Sequence, residues 1–258
     1  MKVVRAVDLC AAPGSWSQVL SDRLGVTASD QAAIVAVDLQ PMAPLDGVHC
    51  IQGDITSLDT ARSIIQHFRG NRAELVVCDG APDVTGLHDM DEFIQGQLLL
   101  SAVNITTHVL CENGTFVAKI FRGRDVGLLY GQLRLLFNRV SVAKPTSSRN
   151  SSIEAFVVCQ DFKGDPYFNL PLEGGFDTEA HASMRGAGCL PGATQPAVVP
   201  FVACGSLEGW DDSALGVLDA DKSYPITEEN FVAPVAPPIQ PPYATAKEKT
   251  KKREEMSS

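Results

Sequence analysis

The sequence predicts an α/β protein built on an open, mostly parallel β-sheet with helices on both faces. Three observations carry this expectation. Short apolar runs alternate with segments of helical spacing through most of residues 3–159. Two of these runs, 33–37 and 75–78, stop at an acid, Asp38 and Asp79. The first run, 3–9, stops at a turn of small residues, Cys10-Ala11-Ala12-Pro13-Gly14. Sheets of this kind bind ligands outside the carboxyl ends of their strands, so these endings are where function is expected.

In the opening run, Val3, Val4, Ala6, Val7 and Leu9 suit a strand covered on both faces, and residues 15–24 continue as a helix. Ala11, Ala12 and Gly14 let backbone N–H groups approach a ligand, although the turn alone fits an ordinary strand-to-helix connection equally well. Residues 33–38 form a second strand whose acid, Asp38, follows the glycine turn at a spacing that suits a ribose contact. A third strand, 48–52, closes at Gly53-Asp54, and residues 59–68 place Ala61, Ile64, Ile65 and Phe68 on one helical face. Gly80-Ala81-Pro82 ends the fourth strand, 75–79. A long helix over 89–110 has acids in its first turn, where they complement the helix dipole. Gly114 closes that region, and a fifth strand, 115–121, carries Lys119 near its end. A helix over 125–137 and two late strands, 140–143 and 153–158, complete the pattern, with a basic, serine-rich loop at 144–152.

Past residue 160 the alternation gives way to Gly-, Pro- and acid-rich sequence with one apolar island at 197–204. The expected division is a core over 1–160, an acidic extension over 161–245 and a charged, solvated tail over 246–258. The chain has 258 residues, 45% of them hydrophobic and 20% charged, enough for one full α/β core with length to spare. No apolar run approaches the roughly 20 residues that span a bilayer. Asp8 interrupts the hydrophobic stretch near Met1, against a signal peptide, and the expected setting is the cytoplasm with a possible nuclear pool. Seven cysteines without C-x-x-C spacing read as reduced core thiols, and the five scattered histidines predict no metal site.

A net charge of −10 argues against a nucleic-acid partner until its distribution is considered. Residues 119–153 hold seven basic side chains against one acid, whereas residues 161–231 hold twelve acids against three bases. In the basic segment Arg122, Arg124, Lys144 and Arg149 are candidate phosphate clamps, with nearby serines as further donors. Asp38 and Asp54 suit the two ends of an adenosine, and each equally suits a turn or cap. Trp16 suits a pocket wall or simple packing. Asp79, Lys119 and Glu154 sit on or beside apolar strands, where charge is costly unless paired or facing a cleft. One reading is a structural ion pair. The other is a base site in which Lys119 takes a proton from a hydroxyl; since Asp79 favours the ammonium form, such a base needs burial or a second cation.

Four ordered stretches, Asp8-Leu9-Cys10-Ala11-Ala12-Pro13-Gly14-Ser15-Trp16, Cys78-Asp79-Gly80-Ala81-Pro82-Asp83, Val117-Ala118-Lys119-Ile120-Phe121 and Ser148-Arg149-Asn150-Ser151-Ser152-Ile153-Glu154, resemble the FtsJ (RrmJ) family of RNA ribose 2'-O-methyltransferases. The resemblance is strongest to the eukaryotic branch acting on the tRNA anticodon loop, and stretches 199–205 and 238–243 resemble that branch's extension. It implies a Rossmann-like fold with a mostly parallel seven-stranded sheet. It also implies S-adenosylmethionine held by Gly14, Trp16, Asp38, Asp54 and Asp79, with Lys119 accepting the 2'-hydroxyl proton and Glu154 completing the polar site. The expected partners are tRNA and a WD-repeat or helical-repeat helper protein. Ribosomal RNA, the mRNA cap or a non-catalytic role are the alternatives.

The family's catalytic set is Lys-Asp-Lys-Glu, and its first lysine lies on a helix ahead of the opening strand. Here that strand follows directly on Met1-Lys2, so three of the four groups are found and weak methylation is expected.

Overall fold

The computed structural model describes residues 2–25, 33–81, 88–123, 126–145, 148, 152–164 and 196–203, without the side chains of 88–90. β1 (Ala6–Leu9) is buried along its whole length, as a central strand covered on both faces must be. Helix α1 (Ser15–Leu24) starts after Gly14 and stops at Gly25, both in left-handed backbone conformations that cost glycine nothing. β2 (Ile34–Asp38), β3 (Val48–Gln52), α2 (Leu58–His67), β4 (Ala73–Cys78) and α3 (His88–Val109) follow. Ser57 starts α2 by accepting the Asp59 N–H on its side chain.

β5 (Leu110–Phe121) begins directly after α3 rather than beyond Gly114. Its register against β4 shifts between Ala73 and Leu75, and the extra residues bulge through Asn113 at φ 61°. A Cβ on Gly114 would lie 2.6 Å from the Leu110 side chain, so the bulge folds back on its own strand. α4 (Val126–Leu136), β6 (Phe137–Lys144) and β7 (Glu154–Phe162) complete the core. β6 starts earlier than its apolar pattern predicts because Phe137 is buried between the rings of Phe116 and Phe162.

The sheet order is β3-β2-β1-β4-β5-β7-β6-β8, where β8 is Phe201–Ala203. β7 runs antiparallel to both neighbours and every other pairing is parallel. The eight strands are therefore the seven expected plus one from the extension. β7 passes the expected core boundary, and residues 196–203 return to the core. Ala197 N–H donates to the Gly127 carbonyl at 2.8 Å, Val142 N–H donates to the Pro200 carbonyl at 2.8 Å, and β8 pairs with β6. The apolar island is thus a strap across α4 and the sheet edge; the remaining extension and tail lie outside the described residues. Among the described residues no helix is long and apolar enough to cross a membrane.

Candidate active site

The strand order reverses at β1: β2 and β3 lie to one side and β4 to the other, so the loops leaving β1 and β4 diverge and open a crevice. Antiparallel β7 brings its first residue, Glu154, to this same edge, opposite Phe121 at the end of β5. The topology thus gathers the loop at Gly14, Asp38, Asp54, Asp79, Lys119, Lys144 and Glu154 at one sheet edge.

On the β1–β2 side, Asp38 ties three loops together. Its Oδ2 accepts the Ala12 N–H at 2.9 Å, its Oδ1 accepts the Gln40 N–H at 2.8 Å, and its carbonyl accepts the Gly53 N–H at 2.9 Å. Gly14 sits at φ 114°, a conformation that favours glycine, and a Cβ there would press, at 3.1 and 3.3 Å, on the ends of the Leu45 and Met42 side chains. Asp54 is exposed and uses Oδ1 to accept the Thr56 N–H and hydroxyl at 2.8 and 2.7 Å, an Asx turn that fixes the loop after β3. Beneath these loops lies a carboxylate that the sequence reading did not single out. Asp8 is fully buried; its Oδ2 accepts the Ser17 hydroxyl at 2.6 Å, and its Oδ1 has no hydrogen-bond partner. Burial pushes its pKa up to about 7, against the pull of the Ser17 hydrogen bond and with help from the nearby charges of Asp79 and Asp38. An acid inside an apolar strand was the available signal.

On the β4–β5 side, Lys119 Nζ and Asp79 Oδ1 form an ion pair at 3.2 Å, the lysine side chain 15% exposed and the aspartate 36%. Parallel pairing of Cys78 with Ala118 sets this meeting, since the next residues, Asp79 just past the end of β4 and Lys119 still within β5, then lie side by side. Gln95, buried in α3, donates from Nε2 to the carbonyls of Gly80 at 3.1 Å and Lys119 at 2.9 Å, so one amide holds both backbones of the ion pair. No local sequence pattern marks this glutamine. Trp16 packs against Phe156 with ring centroids 5.4 Å apart and planes tilted by 35°, and Phe156 is the strand partner of Lys119. Glu154, exposed and two residues from Phe156, shares that face of β7.

The four candidate phosphate clamps separate. Arg124 and Arg149 lie outside the described residues. Arg122 is half-buried; it donates from Nη2 to the Ser152 carbonyl at 3.1 Å and lies 5.3 Å from the Phe201 ring centre. Lys144 departs from its expected role. Only 3% exposed, its ammonium donates to Ser148 Oγ at 3.0 Å and to the carbonyls of Ser152 and Glu154 at 2.8 and 3.1 Å, which leaves no donor for a phosphate. Burial lowers its pKa from the usual lysine value, Arg122 adds to the effect and Glu154 opposes it.

Chemically, the crevice presents carboxylate acceptors on one wall and a lysine–carboxylate pair beside a tilted aromatic pair on the other. The acceptors suit a ligand rich in donors and positive charge, such as an aminoacyl-type nucleoside. Among the described residues no group of three His, Cys, Asp or Glu is placed to hold a metal ion.

The profile of the FtsJ-like methyltransferase family matches residues 2–162. A mouse protein named tRNA (cytidine(32)/guanosine(34)-2'-O)-methyltransferase is 57% identical over 249 residues, covering 95% of this chain and 73% of the relative. A Schizosaccharomyces pombe protein of the same name is 50% identical over 255 residues, covering 94% of this chain and 81% of the relative. Among solved structures, one described as a ribosomal RNA methyltransferase from Plasmodium falciparum shares the fold at a TM-score of 0.56 and 24% identity, covering 64% of this chain and 90% of the other.

Proposed function

This chain belongs to the FtsJ-like methyltransferase family, and on that premise we propose that it transfers a methyl group from S-adenosylmethionine to ribose 2'-hydroxyls in the tRNA anticodon loop, at nucleotides 32 and 34 named in its relatives. The observation that carries the chemical part is the Lys119–Asp79 pair at 3.2 Å at the crevice where the strand order reverses. S-adenosylmethionine supplies an electrophilic methyl group on a sulfonium. The carboxylates of Asp38, Asp54 and Asp79 match its hydroxyls, amine and ammonium in donor–acceptor sense, and Gly14 and Trp16 frame the same edge.

In this reading Lys119 would take the proton of the ribose 2'-hydroxyl whose oxygen accepts the methyl group. Asp79 orients the lysine, and Gln95 fixes the strands that carry both. Glu154, on the same face, completes the polar site toward the ribose. Arg122, Arg124 and Arg149 are the proposed phosphate contacts.

A helper protein of WD-repeat or helical-repeat type that selects the nucleotide belongs to this proposal, with the acidic extension as its docking segment and the cytoplasm as its setting; the excess of acids over bases in residues 161–231 supports the docking part.

The test is transfer of labelled methyl from S-adenosylmethionine to unmodified tRNA transcripts, with and without candidate helpers, followed by mapping of ribose methylation. Label confined to nucleotides 32 and 34 supports the proposal. Label on ribosomal RNA or cap analogues but not on tRNA overturns its substrate.

A further inference from the structure

A lysine with nearly all its surface removed from water is expensive unless every donor is used. Lys144 meets that condition with three acceptors, Ser148 Oγ, the Ser152 carbonyl and the Glu154 carbonyl, all within or at the end of the loop joining β6 to β7. Arg122 grips the same segment from the β5 side: its N–H donates to the Ile153 carbonyl at 2.8 Å and its Nη2 to the Ser152 carbonyl at 3.1 Å. Two cations thus converge on the Ser152 carbonyl. β8 borders both, since Ala203 is the strand partner of Lys144 and the Phe201 ring lies against the Arg122 guanidinium. The segment held this way, Ser152–Glu154, ends on the face of Lys119.

We propose that Lys144 is a positioning residue for the methyl-transfer site: its ammonium, with Arg122 and under the strap of β8, fixes the Ser152–Glu154 backbone and so sets Glu154 against Lys119. This rests on the reading of Lys119 and Glu154 as the reacting site. It removes Lys144 from the RNA-contacting set and gives the β8 segment a task in catalysis as well as in covering the sheet edge.

Amine labelling of the intact protein followed by mass spectrometry, with and without tRNA, tests the burial directly. Lys144 is expected to stay unlabelled in both states; labelling in the free protein that tRNA then blocks overturns the proposal. Kinetics test the role. Lys144→Met and Lys144→Arg are both expected to lower kcat about tenfold or more per cofactor-binding site, leaving the tRNA KM and its salt dependence as in the parent, because a guanidinium does not fit the three-acceptor geometry. A phosphate contact predicts the opposite: Lys144→Arg active, and Lys144→Met with raised KM and a salt slope smaller by about one. A purely structural lysine predicts less folded protein with unchanged kcat per binding site, which also overturns the proposal. Should neither variant fold, Ser148→Ala, which removes one acceptor of the ammonium, reads the role: kcat per binding site is expected to fall with the tRNA KM unchanged, and an unchanged kcat overturns the proposal. A failure of the Lys119 reading would show instead as an active Lys119→Ala variant, with the labelling pattern unaffected.

Discussion

Trp16 and Phe156 pack with ring centroids 5.4 Å apart and planes tilted by 35°, and because Phe156 is the strand partner of Lys119, this contact fastens the start of α1 to the strand face that carries the lysine. The tryptophan therefore packs helix against sheet. Trp16→Ala is expected to cost about 2 kcal/mol in urea denaturation, and Trp16→Phe less than about 1 kcal/mol, since an aromatic pair survives. Equal losses for the two variants would contradict a role for the ring–ring contact.

Burial of Asp8 predicts a pH dependence of definite sign. Its folded pKa is raised to about 7 from 3.8, so folding favours the protonated carboxyl. The associated stability is fully present below the unfolded value and is lost as pH rises through about 7. Asp8→Asn keeps an acceptor for the Ser17 hydroxyl and removes the titration. Its stability is expected to exceed that of the parent by a few kcal/mol at pH about 8 and to match it near pH about 4. Denaturation across that range checks this, and parallel curves for the two proteins would contradict it.

At the opposite end of β1, Glu74 anchors the entering chain. Its Oε2 accepts the N–H groups of Val4 at 3.0 Å and Arg5 at 2.6 Å, while Oε1 pairs with the Arg5 guanidinium. Glu74→Ala strands those donors beside a buried site and is expected to cost about 3 kcal/mol. A loss under about 1 kcal/mol in thermal or urea unfolding would show that solvent replaces the carboxylate.

The strand-end groups Gly14, Asp38, Asp79 and Lys119 were legible because each interrupts or ends an apolar run, and a charge or glycine there has few cheap explanations. Pairing Asp79 with Lys119 followed from parallel topology. What stayed hidden depends on tertiary contacts. Lys144 sits in a basic, serine-rich stretch that reads as solvated, yet its surroundings bury it. β8 is three residues within a Gly- and Pro-rich extension, and only the edge of β6 makes it a strand. Gln95 is one polar residue in a long helix, and its task appears only where β4 and β5 end.

Gln95 carries its own prediction. Gln95→Leu leaves the Gly80 and Lys119 carbonyls without their shared donor and loosens the spacing of the ion pair. The expected result is about tenfold slower methyl transfer with a smaller loss of S-adenosylmethionine affinity, since of the carboxylates proposed for the cofactor only Asp79 adjoins the backbone that Gln95 holds. An affinity loss equal to the rate loss would place Gln95 in cofactor binding instead.

The central claim is that Lys119 accepts the ribose proton beside Asp79. Single-turnover methyl transfer to tRNA by Lys119→Ala, measured alongside S-adenosylmethionine binding by calorimetry, tests it most directly. The account predicts a rate lowered by about 10²–10⁴-fold with cofactor affinity within about threefold of the parent. Transfer at close to the parental rate by a variant that binds the cofactor normally would contradict it.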